Sequence, residues 1–171
     1  HDFKEQGLED TKRNLEAAGI EWCEGAHIAW KELNGVRCAF IGIYALENGL
    51  DSLPVVESTI AEAKKKGADL IIVGFHWGVE LVTELDEFER TLAHAAIDAG
   101  ANLVVGTHSH VLMAIEKYNG AYICYGLGNF CFGGSTNPTS YDTIIWQQTF
   151  NFTPDGVESE DDISIIPCQV S

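Results

Sequence analysis

The sequence has no apolar run of eighteen residues, and its first residues do not form the pattern of a signal peptide. A helix needs about twenty apolar residues to cross a bilayer, and a secretory signal needs a short apolar core behind basic residues. We therefore expect neither a membrane-spanning helix nor a targeting segment within these residues, which leaves open an anchor upstream of them.

Basic residues are scarce as well. The chain has 10 Lys and Arg against 26 Asp and Glu, which gives a formal net charge of −16. Nucleic-acid phosphates are bound by clustered Lys and Arg. The basic run KKK, at residues 64–66, stands where a helix should end and there complements the helix dipole. The composition therefore argues against nucleic acid as a partner.

The five cysteines lack CxxC spacing, and their number is odd. They predict neither a disulfide framework nor a zinc knuckle. Cys38 and Cys124 lie inside apolar, strand-like runs, where a cysteine usually packs as a small hydrophobic residue. Packing is therefore favoured over redox chemistry for both.

Apolar residues, in contrast, are sufficient for one sizeable core, since 46% of the 171 residues are hydrophobic. Two helical patterns, LPVVESTIAEAKKKG and LDEFERTLAHAAIDAG, alternate with the apolar runs ADLIIVGF and ANLVVG. This alternation is typical of a mainly parallel sheet with right-handed crossovers. We expect a single domain over residues 1–171.

Two Asn-Gly pairs mark β-hairpins. Asn34-Gly35 and Asn119-Gly120 each stand between strand-like runs. Two further strands are predicted around Pro154-Asp155-Gly156. The predicted fold class is therefore α/β, with mixed sheet layers and flanking helices.

Three histidines follow the two buried strands. His76 ends the first run in HWG, and His108 and His110 end the second in GTHSH. Sites in parallel α/β sheets gather beyond the carboxyl ends of the strands, and an extended backbone would point His108 and His110 the same way. Imidazole is a common ligand of zinc, manganese and iron. A loop hydrogen bond is the alternative for each histidine, but three at adjacent strand ends favour a divalent metal.

Two polar residues near these strand ends are further candidates. Glu80 follows the HWG turn, where it would orient a ligand histidine or meet a substrate amine, with a solvated loop acid as the equal alternative. Asn129, in GLGNF, either binds substrate or caps the turn. His27 and His94 are expected to be structural or exposed.

The runs GFHWGVEL and LAHAAIDAGANLVVGTHSHVLMAIEKYNGAYICYGLGNFCFGG resemble the CapA family, the capsule or poly-gamma-glutamate biosynthesis proteins. The motifs HWG-x-E, G-x-H-x-H, Y-N-G and LGNF stand in the family's order. The resemblance implies a metallophosphoesterase-like sandwich with a two-metal site, in which His76 and His108 bind one metal and His110 the other. It also implies that the segments supplying acidic ligands precede the first residue. The chain would then be the carboxyl-terminal two thirds of one domain, truncated at its N-terminal side.

The resemblance further implies a metal-dependent hydrolase or transferase, with Mn, Zn or Fe as its metal and His76, Glu80 and Asn129 as catalytic residues. Its substrate would be an anionic polymer or a phosphate-containing molecule. The expected location is the extracellular face of the cell membrane, in a synthase complex reached through the upstream segment. Without the bridging acids, we expect an incomplete site that is empty or holds a lone ion. We also expect either self-association or a second polypeptide that completes the fold. The alternative is a non-catalytic accessory domain that binds or guides an anionic polymer in such a complex.

Overall fold

The computed structural model describes residues 3–131, 138–153 and 156–170, and for residues 158–161 it describes only the backbone. The helices are α1 (Lys4–Ala17), α2 (Leu53–Lys65, preceded by a 3-10 turn, Gly49–Ser52) and α3 (Glu87–Ala99). The strands are β1 (Ile28–Leu33), β2 (Val36–Tyr44), β3 (Leu70–His76), β4 (Leu103–Thr107), β5 (Ile115–Tyr118), β6 (Ala121–Cys124), β7 (Asp142–Thr153) and β8 (Gly156–Gln169). Within the described ranges, no helix is both long enough and apolar enough to cross a membrane.

A six-stranded mixed sheet forms the centre of the protein, in the order β1-β2-β3-β4-β6-β5. The four inner strands are parallel, and the outer strands β1 and β5 run antiparallel to their neighbours. Helices α2 and α3 are the crossovers that join β2 to β3 and β3 to β4. The predicted mixed α/β class is confirmed.

The two antiparallel outer strands arise from the Asn-Gly hairpins. Asn34 and Gly35 have φ angles of 53° and 82°, and Asn119 and Gly120 have 45° and 85°. A two-residue turn with both φ angles positive matches the twist of the strands it joins, and Asn and Gly tolerate that conformation best. Both predicted hairpins are confirmed.

The core lies between one face of the sheet and helices α2 and α3. Alternate strand residues point into it and are fully buried, among them Ile41, Val73 and Val104. The helices contribute Val56, Ile60, Leu92, Ala93 and Ala96 to the same core. On the opposite face Phe40 and Ile72, which pair across β2 and β3, are only half-buried. This arrangement fixes the ends of β3 and β4 against well-packed helices.

Strands β7 and β8 form a separate two-stranded antiparallel sheet. It contacts the main body through the Thr143 hydroxyl, which donates to the Leu127 carbonyl at 2.8 Å, and through Trp146, whose ring lies 5.1 Å from that of Tyr122. The two predicted final strands are therefore present, while Pro154 and Asp155 of their predicted turn lie outside the described residues.

Candidate metal centre

The three histidines leave the sheet at one edge. His76 is the last residue of β3 and stands in parallel register with Thr107, the last residue of β4. The ring centres of His76 and His108 are 4.7 Å apart, and those of His108 and His110 are 6.3 Å apart. The structure thus brings the three predicted ligands together, and we call them the histidine cluster. Their role as ligands stays a prediction.

The backbone that carries His108 and His110 is not extended, so this part of the expectation is wrong. Strand β4 ends at Thr107, and the two histidines have left-handed φ angles of 95° and 59°. A backbone hydrogen bond from Leu81 N–H to the Ser109 carbonyl, at 2.8 Å, ties this turn to the loop that follows His76. The rings converge because the two loops are joined, and not because of strand alternation.

Asn129 holds the ring of His110. Its Oδ1 lies 2.6 Å from Nδ1 of His110, and its Nδ2 donates to the His110 carbonyl at 3.4 Å. An amide oxygen only accepts hydrogen bonds, so Nδ1 must carry the proton and Nε2 of the neutral ring must carry the lone pair. Asn129 is 9% exposed, so this contact is sheltered from solvent. The pair matches the usual support of a metal-ligating histidine by an acceptor on its second nitrogen.

Thr107 holds the ring of His76 by the same logic. Its hydroxyl donates to the Phe75 carbonyl at 3.0 Å, and Nδ1 of His76 lies 3.3 Å from that hydroxyl oxygen. Because the hydroxyl proton is already used, the Thr107 oxygen accepts a hydrogen bond from the Nδ1–H of His76. The lone pair of His76 is then on Nε2, as it is in His110.

The electrostatics of the cluster keep His76 neutral. Partial burial lowers the pKa of His76, and the positive charge that His108 and His110 carry when protonated lowers this pKa further. Neutral imidazole is the form that binds metals. The environment of His76 therefore favours the ligating form at neutral pH.

The cluster opens into a cavity of about 300 Å³. It is lined by His76, Thr107, His108, Ser109, His110, Leu127, Gly128, Asn129, Phe130 and Cys131. Glu80 is not part of this lining; its side chain is exposed, and within the described residues it forms no hydrogen bond or ion pair with the cluster. The geometry thus places Asn129 in the site and leaves Glu80 outside it, where its catalytic role stays a prediction.

The donor set of the cavity fits a divalent ion such as zinc, manganese or iron, since it offers imidazole nitrogens. Imidazoles that share one metal, each with its nitrogen about 2 Å away, have ring centres about 5 to 6 Å apart, close to the two observed spacings. In the part of the chain that the structure describes, however, no group of three or more His, Cys, Asp or Glu side chains is already arranged to hold an ion. The donor types thus suit a divalent ion, and its binding stays a prediction.

Sequence reasoning did not identify Thr107 or Tyr44, whose ring stacks on His76 with a centre-to-centre distance of 5.7 Å. Both are register partners of His76, on β4 and β2, so pairing the strand ends would have found them. His27 stacks on Trp22, and His94 packs on Tyr118 with its Nε2 3.0 Å from a Glu116 oxygen. Neither lines the cavity of the histidine cluster.

The chain is similar to a known protein family and to two proteins of Bacillus species. The family described as "Bacterial capsule synthesis protein PGA_cap" matches residues 1–134, which include the whole cluster. The PGA biosynthesis protein CapA of Bacillus subtilis is 38% identical over 164 residues, with 84% of this chain and 43% of that protein covered. The capsule biosynthesis protein CapA of Bacillus anthracis is 31% identical over 166 residues, with 84% and 40% covered.

The chain is also similar to a mycobacterial protein and to one solved structure. A probable polyglutamine synthesis accessory protein of Mycobacterium tuberculosis is 39% identical over 67 residues, 39% of this chain and 18% of that protein. A hypothetical protein from Thermus thermophilus superposes with a TM-score of 0.55 at 15% identity, covering 84% of this chain and 62% of that one. The structural likeness supports the fold alone. The chain spans less than half the length of the two Bacillus proteins, at 43% and 40%.

Proposed function

Because this chain belongs to the bacterial capsule synthesis protein PGA_cap family, we propose that it serves the synthesis of a capsule or poly-gamma-glutamate polymer through a metal-dependent hydrolase or transferase site. The observation that carries the proposal is the histidine cluster at the carboxyl edge of the parallel sheet, with two rings held as Nδ1–H tautomers. An imidazole whose second nitrogen is fixed by a protein acceptor is prepared to bind a metal through Nε2.

The residues of this chain have distinct tasks in the proposed site. In this chain His76, His108 and His110 would share one divalent ion, while Asn129 would keep the His110 ring in its ligating orientation. A bound divalent ion polarises a phosphoryl or acyl oxygen and lowers the pKa of its bound water to about 7. Glu80, exposed beside the turn, is available to a substrate amine. The substrate is an anionic polymer or a phosphate-containing molecule.

The charge of the chain bears on how such a substrate is bound. A formal net charge of −16 repels an anionic polymer over the protein as a whole. A cation held in the histidine cluster would give the cavity a local positive potential within this acidic surface. Substrate binding is therefore expected to require metal. By the same proposal, the domain works at the extracellular face of the cell membrane as part of a synthase complex.

A second candidate function is a non-catalytic accessory domain that binds or guides an anionic polymer in that complex. It is favoured by the position of Glu80, which leaves the cavity without a carboxylate from the HWG-x-E motif. The relative from Mycobacterium tuberculosis is likewise named a probable polyglutamine synthesis accessory protein. This candidate predicts polymer binding without turnover.

Hydrolysis assays separate the two candidates. The chain is incubated with bis(p-nitrophenyl) phosphate and with poly-gamma-glutamate, with added Mn²⁺ or Zn²⁺ and after chelation. The enzymatic proposal predicts metal-dependent turnover of one substrate that falls at least roughly 100-fold in His108→Ala, while His27→Ala, an exposed histidine outside the cluster, retains it. Metal-dependent polymer binding without turnover would instead support the accessory domain.

A further inference from the structure

Glu89 is a buried carboxyl group behind the histidine cluster. It is 1% exposed, although it lies in the first turn of α3, where most acids face solvent. Its Oε2 accepts the Asp86 backbone N–H at 2.8 Å, and the Asp86 side chain accepts the N–H of Glu89 in return. This capping box accounts for one carboxyl oxygen. The other, Oε1, has no hydrogen-bond partner in the described part of the chain.

The unpartnered Oε1 lies against Gly78, the glycine of the HWG turn. A Cβ atom built on Gly78 would stand 2.7 Å from Oε1, closer than real Cβ contacts occur. Gly78 is itself buried and has a φ of +84°, a conformation that residues with a Cβ rarely adopt. The turn therefore closes directly onto the Glu89 carboxyl group, and no other residue type fits between them without displacement.

The turn that rests on Glu89 also sets the position of His76. Trp77, between His76 and Gly78, is fully buried, and its Nε1 donates to the Tyr125 carbonyl at 3.1 Å. The Trp77 backbone N–H donates to the Thr107 carbonyl at 3.3 Å. Residues 76–78 thus form one rigid turn, clamped by the Tyr125 carbonyl just after β6 on one side and supported by α3 on the other.

We propose that Glu89 is a positioning residue of the histidine cluster, acting through Gly78 on the turn that orients His76. An unpartnered oxygen in a buried site disfavours the charged form of this carboxyl group. Burial raises the pKa of Glu89 in agreement with this. The metal readout of the proposal rests on the proposed function, whereas the placement of the His76 ring does not.

Three variants separate positioning from simple helix capping. Glu89→Gln keeps the shape and removes the ionisable group. Glu89→Met keeps the volume and removes both oxygens, and Asp86→Ala removes the other half of the capping box without touching Gly78. We expect Glu89→Met to shift the imidazole ¹⁵N and ¹H NMR signals of His76 and to weaken Zn²⁺ binding roughly 10- to 100-fold, as the loss of a supporting group does. Glu89→Gln and Asp86→Ala should leave both close to the wild type.

The outcomes distinguish positioning of His76 by Glu89 from helix capping and from metal binding. If Asp86→Ala perturbs His76 as strongly as Glu89→Met does, Glu89 acts only through the helix cap and the proposal is overturned. If Glu89→Met leaves the His76 signals and Zn²⁺ affinity unchanged, it is overturned as well. If the wild type binds no Zn²⁺ yet the His76 signals move only in Glu89→Met, the positioning role stands and the metal proposal fails. Glu87→Met, at an exposed acid of the same helix turn, controls for replacing an acid with methionine at the start of α3.

Discussion

Nδ1 of His110 lies 2.6 Å from Oδ1 of Asn129, and this contact determines which nitrogen of the ring can meet a ligand. Asn129 belongs to the LGNF stretch, nineteen residues further along the chain. The contact joins the turn after β4 to the segment after β6, so two distant motifs of the sequence form one unit.

Replacing Asn129 should therefore change the tautomer of His110. Asn129→Leu removes the acceptor, so the His110 ring would become a mixture of the Nδ1–H and Nε2–H tautomers. The Zn²⁺ affinity would then fall roughly 10- to 100-fold. Asn129→Asp retains an acceptor at the same place and should retain the tautomer and the affinity. Imidazole ¹⁵N chemical shifts report the tautomer directly. Identical His110 spectra in the wild type and Asn129→Leu would contradict the assignment.

Thr107 should have the same effect on His76. Thr107→Val keeps the shape but removes the hydroxyl, which leaves the Phe75 carbonyl and Nδ1 of His76 without this partner. We expect a loss of about 1 kcal/mol in the free energy of unfolding and a mixed His76 tautomer. Thr107→Ser, which keeps the hydroxyl, is the matched control. Urea denaturation gives the first quantity and NMR the second, and equal results for Val and Ser would refute the role of the hydroxyl.

The buried carboxyl of Glu89 predicts a specific pH dependence of stability. Burial raises the pKa of Glu89, the Asp86 charge adds to this, and the hydrogen bond from the Asp86 N–H opposes it. The folded state therefore binds the proton more tightly than the unfolded chain does, so this stabilisation is present below the unfolded pKa, about 4.3, and is lost as pH rises through the folded value.

Glu89→Gln cannot ionise, so it should not lose stability as pH rises through the folded-state pKa of Glu89. Its free energy of unfolding should gain on that of the wild type as pH rises above the ordinary range of glutamate, in urea denaturation at a series of pH values. Two titratable neighbours are coupled to Glu89: the Asp86 charge raises the pKa of Glu89, and the Glu89 charge raises the pKa of Tyr125. Both neighbours are unchanged in the variant. Glu87→Gln, at an exposed acid, should show no such trend. Parallel curves for the wild type and Glu89→Gln would mean that folding does not raise the pKa of Glu89.

The sheet was predictable because its signals are local. Apolar runs of strand length, helices ending at glycine and two Asn-Gly turns define the order of the elements, and parallel strands must end at one edge. This reasoning was enough to place His76, His108 and His110 together. It also predicted buried packing for Cys38 and Cys124, which are 3% and 0% exposed.

The details of the site depend on contacts between distant segments. His108 and His110 adopt left-handed conformations in a turn that the Leu81 N–H joins to the neighbouring loop by a hydrogen bond to the Ser109 carbonyl. No sequence pattern in either loop predicts this hydrogen bond. The Asp86-x-x-Glu89 spacing of a capping box is visible in the sequence, but the burial of Glu89 beneath Gly78 requires the packing of α3 against the turn after β3. Glu80 was a candidate by proximity along the chain, and the turn carries it into solvent.

Metal titration of the intact chain tests the central claim most directly. Calorimetry with Zn²⁺ and Mn²⁺ should give at most one ion per chain. The cavity lining, as far as the structure describes the chain, contains three imidazoles and no carboxylate to compensate a second cation. His108→Ala and His110→Ala should each weaken binding while far-ultraviolet circular dichroism stays unchanged, since both residues lie outside the apolar core. His27→Ala should bind as the wild type does. Unchanged affinity in both cluster variants, or two tightly bound ions per chain, would contradict the account.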